Sequence, residues 1–201
     1  MASGGAGGAS LTMPLYHFSE QPDITVFEPR VAPSSTLAEP LVWAIDDRHQ
    51  VMYFFPRDCP RACFWPGDRT TPDDRERFFG GVDARMVIAV EAAWLDRIRA
   101  TTLYRYTMPE ATFSQPLPGD SSGHWTSRQR VVPSAVEAID DLLGAIARER
   151  VELRITGSLI ALWKLVIQST LEFSGTRMRN AQGWSEVDWD AISLGLAARG
   201  R

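Results

Sequence analysis

Residues 53–66, YFFPRDCPRACFWP, bring together five aromatic side chains, three prolines, two arginines and both cysteines of the chain. Pro56 and Pro60 fix φ immediately before Arg57 and Arg61. Two guanidinium forks on so stiff a frame suit a phosphate or carboxylate, because bidentate pairing then loses little side-chain freedom. A metal knuckle, a redox pair and a proline-stiffened piece of core are the alternatives. Cys59 and Cys63 stand four apart, which is not the C-x-x-C of a redox motif or zinc ribbon. No second Cys/His cluster exists to complete a structural zinc site, so no metal is expected and the thiols read as small buried hydrophobes.

The three histidines are His17, His49 and His124. In LYHFSE, His17 and Ser19 share one face of an expected strand, with Tyr16 and Phe18 on the other, as a pocket wall would. His124 is the most available acid or base near neutral pH. The G-x-S-x-G elbow, H-E-x-x-H, G-x-G-x-x-G and the P-loop are all missing. Aromatic and arginine side chains such as Tyr53, Trp65, Tyr104, Trp125 and Arg128 have the chemistry to stack on bases. A net charge of −4 nevertheless argues against a general electrostatic grip on nucleic acid.

These residues need a scaffold. The 201-residue chain is 44% hydrophobic with seven tryptophans, enough for one core. Of its 21 basic residues all but Lys164 are arginine, a bias that points to a GC-rich bacterial genome. Residues 1–12 are Gly/Ala/Ser-rich with no secretory pattern and read as a flexible leader. No apolar run approaches a membrane span, so a cytoplasmic protein is expected.

Strands are expected at 14–20, 41–45, 85–92, 102–109, 123–132 and 151–155, with a short extended piece at 23–30. Residues 46–55 read as a short helix N-capped by Asp46 that must end before Pro56, in preference to the alternative of a hairpin turned at 47–49. Thr71-Pro72 opens a helical turn, and residues 92–100 form a short amphipathic helix. Val136, Ile139, Leu142, Leu143 and Ile146 recur at helical spacing behind a Ser134/Glu137 capping box, predicting one helix over 134–150. Residues 158–173 read as a largely buried helix. Elements mix without regular alternation, so the fold class is α+β: a single domain over 13–182, with a mixed or mostly antiparallel sheet flanked by helices. Residues 183–201 form a tail with weak helical periodicity.

The phrases LYHFSE, FEPR, LVWAIDDRHQ, YFFPRDCPR, LYRYTMP, HWTSRQRVVP, VELRI and LEFSG, from about Pro14 to Ala181, resemble a group of uncharacterised bacterial proteins that carry a domain of unknown function. More distantly the chain is similar to the ADP-ribosyltransferase-like fold. That resemblance implies that His17 of YHFS contacts the ribose of NAD, that Trp43 or Tyr53 stacks on a base or nicotinamide, and that 124–133 supplies the third site strand. Where the family pattern has a catalytic glutamate, this chain has His124-Trp125, with Arg128 further on. The expected function is therefore a nucleotide pocket for NAD or an ADP-ribose-like molecule. His17 and His124 are its catalytic candidates, and Ser19, Trp43, Tyr53, Arg57, Arg61 and Arg128 its binding residues. The alternatives are a non-enzymatic interaction module and the binding of RNA ends or single strands.

Overall fold

The computed structural model describes residues 13–31, 38–117, 120–190 and 192, so the expected leader and the end of the tail lie outside the described residues. Among these, nine strands form two sheets. Strands β1 (Leu15–Ser19), β2 (Val42–Asp46), β5 (Leu103–Met108), β6 (His124–Ser127) and β7 (Ala135–Ile139) make an antiparallel sheet in the order β6-β2-β1-β5-β7. Strands β3 (Arg61–Trp65), β4 (Met86–Glu91), β8 (Val151–Thr156) and β9 (Glu172–Thr176) make a second, in the order β8-β4-β3-β9, where only β4 and β8 run parallel. With helices α1 (Pro72–Phe79), α2 (Leu95–Ala100), α3 (Leu142–Ala147) and α4 (Ile160–Val166), the fold is α+β, with the mostly antiparallel pairing expected.

Alternation along the strands sorts the side chains into layers. Ile45 and Leu103 of the first sheet meet Cys63, Trp65, Ile88 and Val90 of the second in a central core that α2 and α3 complete. The far face of the second sheet, with Ala62, Phe64, Val87 and Ala89, packs on α1 and α4 through Phe78, Phe79, Trp163 and Val166. The far face of the first sheet buries Leu15, Val42, Ala44 and Tyr106 beneath Phe27, Phe113 and Val131 from the loops. Strands β3 and β4 are buried along their whole length, because both their faces are covered.

Several local outcomes differ from the sequence reading. Residues 135–139 form an edge strand, not a helix: β5 offers a free edge, and Arg105 pairs across the ladder with Glu137 at 2.6 Å. The helix begins only at Leu142, where the Asp141 side chain accepts the Gly144 N–H. The turn after β2 does use Asp46, whose Oδ1 accepts the His49 N–H at 2.8 Å, but leads into a 3-10 turn over Gln50–Tyr53. The helix expected over 158–173 ends at Val166, and the segment 172–176 is claimed by the edge of β3 as β9.

Asp141→Ala removes the cap of a six-residue helix that covers the central core. The expected loss is about 1 kcal/mol, read in urea as a lower midpoint with an unchanged slope.

Candidate functional site

Strands β1 and β2 pair at only two positions, Leu15↔Asp46 and Tyr16↔Ile45. Continued in register, the ladder would set His17 against Ala44 and Phe18 against Trp43, but the strands part instead. The His17 ring bridges the gap, its Nδ1 lying 2.8 Å from the Trp43 carbonyl oxygen. A carbonyl can only accept, so Nδ1 carries the proton and the neutral ring presents a bare lone pair at Nε2. Burial pushes the His17 pKa down to about 4 against the one hydrogen bond that favours the charged form, and Arg30 and Arg57 push it the same way. His17 is therefore neutral at pH 7 and can accept a hydrogen bond from a ligand hydroxyl.

A cleft of about 610 Å³ opens at this parting and reaches the inner face of the second sheet. Its walls include His17, Ser19, Trp43, Tyr53, Arg57, Arg61 and His124, so the structure brings together seven of the eight residues singled out from the sequence. Arg128 is not among the lining residues: it is exposed on the far end of β6 and gives its Nε and Nη2 to Glu39 at 2.9 and 2.8 Å. Sequence reasoning missed Phe27, Arg30, Ser174, Thr176 and Arg177, which also line the cleft. The last three belong to β9 or follow it, just past the end of the helix expected over 158–173, where the sequence reading placed no element.

The proline-framed loop is fastened from both sides. The Arg57 N–H donates to Glu20 Oε1 at 2.7 Å, just past β1, while Arg177 Nε and Asn180 Nδ2 donate to the carbonyls of Arg57 and Asp58. Arg57 is exposed at the mouth of the cleft, whereas Arg61 lies at its floor with 2% of its surface exposed. Arg61 donates from Nε to the Met52 carbonyl at 2.5 Å and from Nη1 to that of Cys59 at 3.0 Å. Its guanidinium also lies 5.3 Å from the ring centre of Tyr53 and 5.4 Å from that of Phe55. Cys59 and Cys63 beside it are buried, and desolvation pushes each thiol up to about 12, which keeps both protonated.

Opposite Arg61, Tyr53, His124 and Ser122 form a hydrogen-bonded chain. The Tyr53 hydroxyl lies 2.7 Å from His124 Nε2, and the Ser122 hydroxyl lies 2.6 Å from Nδ1. Gly123, at φ +77°, makes the turn that lets residues 122 and 124 meet in this way. Burial lowers the His124 pKa and raises that of Tyr53, so at neutral pH both are uncharged. A neutral imidazole with both nitrogens engaged can pass a proton between the two hydroxyls by changing tautomer.

Fold and site together define an α+β protein with a cleft at the parting of its antiparallel sheet, cationic on one wall and aromatic on another. The chain belongs to DUF6886, a family of unknown function whose sequence model matches residues 16–181. That span takes in every lining residue of the cleft, from His17 to Arg177. No curated protein and no solved structure matches the chain.

Because the folded imidazole of His17 binds a proton less readily than the unfolded one, its contribution to stability is complete above the ordinary value of 6.5 and is lost as pH falls toward 4. Between pH 7 and pH 5 the loss amounts to about 2 kcal/mol. His17→Gln keeps a donor for the Trp43 carbonyl but does not titrate. Urea midpoints of the variant should fall less across this window, and equal slopes in both proteins would show that His17 is not buried as a neutral ring.

Proposed function

We propose that the cleft binds a phosphorylated nucleotide of the NAD or ADP-ribose kind. One observation carries this reading. Arg30, Arg57, Arg61 and Arg177 line the cleft without a carboxylate partner among the described residues, in a chain whose net charge is −4. The two lining carboxylates are already engaged: Glu20 accepts the Arg57 N–H and lies 4.0 Å from Arg97, and Glu28 lies 3.5 Å from Arg130. A buried guanidinium without a counter-charge is costly, and an anionic ligand would supply that charge.

The other walls favour the rest of a nucleotide. Phe18, Phe27, Trp43 and Tyr53 offer ring surfaces, and His17 Nε2 offers an acceptor to a sugar hydroxyl. A cleft of about 610 Å³ suits a ligand of this size. The distant likeness to the ADP-ribosyltransferase-like fold supports the same placement of His17 against a ribose. Transfer chemistry of that family's usual kind lacks its glutamate here, since β6 reads His-Trp-Thr-Ser. The Tyr53–His124–Ser122 chain is the proton-handling group the cleft offers to a reacting ligand. A second reading, a non-enzymatic interaction module, has one observation in its favour: the first four residues of edge strand β7 are exposed.

Thermal unfolding with NAD, ADP-ribose and ATP tests the reading. A ligand at a hundred times its dissociation constant adds about 2.7 kcal/mol, an upward shift of a few degrees. The shift should appear in the native protein and vanish in Arg57→Ala, which alters only an exposed side chain at the mouth. No shift with any nucleotide would leave the interaction module as the working account.

A further inference from the structure

Strand β9 turns two different faces to its surroundings. Phe173 meets Trp163 edge-on at 5.5 Å, and a Cβ on Gly175 would lie 2.6 Å from Trp163 Cη2, so this face looks toward α4. Side chains alternate along a strand, which turns Ser174 and Thr176 the other way, into the cleft they line. The pairing with β3 agrees: Thr176 stands opposite Arg61, and Ser174 opposite Cys63, on the face that looks toward the first sheet. Neither hydroxyl has a hydrogen-bond partner among the described residues.

Arg61 and Arg177 flank these hydroxyls. Two backbone carbonyls hold Nε and Nη1 of Arg61, and among the described residues no buried side-chain nitrogen or oxygen lacks a partner. Its Nη2 has no acceptor among the described residues and therefore opens on the cleft. Arg177 follows Thr176 at φ +54°, a left-handed conformation that costs a non-glycine residue about 1 kcal/mol. That conformation is held by the bond from Nε to the Arg57 carbonyl at 3.1 Å, which leaves both terminal nitrogens without an acceptor among the described residues. Two cations and two hydroxyls thus converge on one end of the cleft, while Phe27 and Trp43 stand at the parting of β1 and β2.

We infer that Arg61, Ser174, Thr176 and Arg177 form the seat of a diphosphate, so that the ligand lies with its phosphates on β9 and its ring at the parting of β1 and β2. The donors outnumber what a carboxylate's two oxygens can accept, and two guanidinium charges with Arg57 beside them match a group of two or three negative charges. The inference rests on the nucleotide reading for the ring end only; the seat itself asks for a diphosphate.

Calorimetric titration with inorganic pyrophosphate, ADP-ribose and adenosine separates the two. Pyrophosphate should bind the native protein and compete with ADP-ribose. Arg177→Gly, which removes the guanidinium and suits the left-handed backbone, should weaken pyrophosphate and ADP-ribose at least about tenfold and leave adenosine unchanged. Ser174→Ala with Thr176→Val should act in the same direction. If ADP-ribose binds but pyrophosphate neither binds nor competes, or Arg177→Gly leaves both affinities as they were, the seat is overturned and the nucleotide reading stands. Should pyrophosphate bind while ADP-ribose and adenosine fail to, the seat stands and the nucleotide reading fails. Binding by none of the three overturns both.

Discussion

The arrangement depends on two β-strands that stop pairing. After Tyr16↔Ile45 the first sheet opens between β1 and β2, and the freed backbone groups must be satisfied or solvated. His17 does this with a side chain, placing Nδ1–H on the Trp43 carbonyl. A ring that bridges the gap keeps the strands apart without leaving a buried acceptor unmet, and the space between them becomes the cleft. Burial makes the same ring neutral, so the residue that props the sheet open also presents an acceptor at Nε2. Structural and chemical roles are one constraint here.

The cationic wall follows from a second constraint, the burial of Arg61 in β3. A guanidinium cannot shed its charge, so the fold holds it with the Met52 and Cys59 carbonyls and with the faces of Tyr53 and Phe55. These partners orient the fork but do not neutralise it. Arg177 and Arg57 add like charge nearby, tied to each other by the bond from Arg177 Nε to the Arg57 carbonyl. In a protein of net negative charge this is a local concentration of cations, with the lining carboxylates already engaged by other donors.

Much of the site was legible because strand alternation is a local rule. LYHFSE placed His17 and Ser19 on one face, and the two prolines marked 56–61 as a rigid carrier of arginines. What sequence could not show was the second sheet's part in the cleft. β3 hides in a stretch dense in proline and aromatics, and β9 starts within the last two residues of the segment expected to be helix. Residues 135–139 carried a helical period as well, yet the free edge of β5 offered a ladder of hydrogen bonds and a partner for Glu137. Where local propensity is weak, such long-range pairing wins.

By itself the sequence determined the α+β class, most of the first sheet, the cap at Thr71, and the residue types that face the cleft, since each follows from neighbours within a few positions. Only the tertiary structure decided that β1 and β2 part, that Arg61 is the floor and Arg57 the mouth, that Arg128 belongs to Glu39, and that Ser174, Thr176 and Arg177 share the cleft. These outcomes join residues distant in the chain, Arg57 and Arg177 by more than a hundred positions, and no local pattern encodes a contact whose partners meet only when two sheets pack.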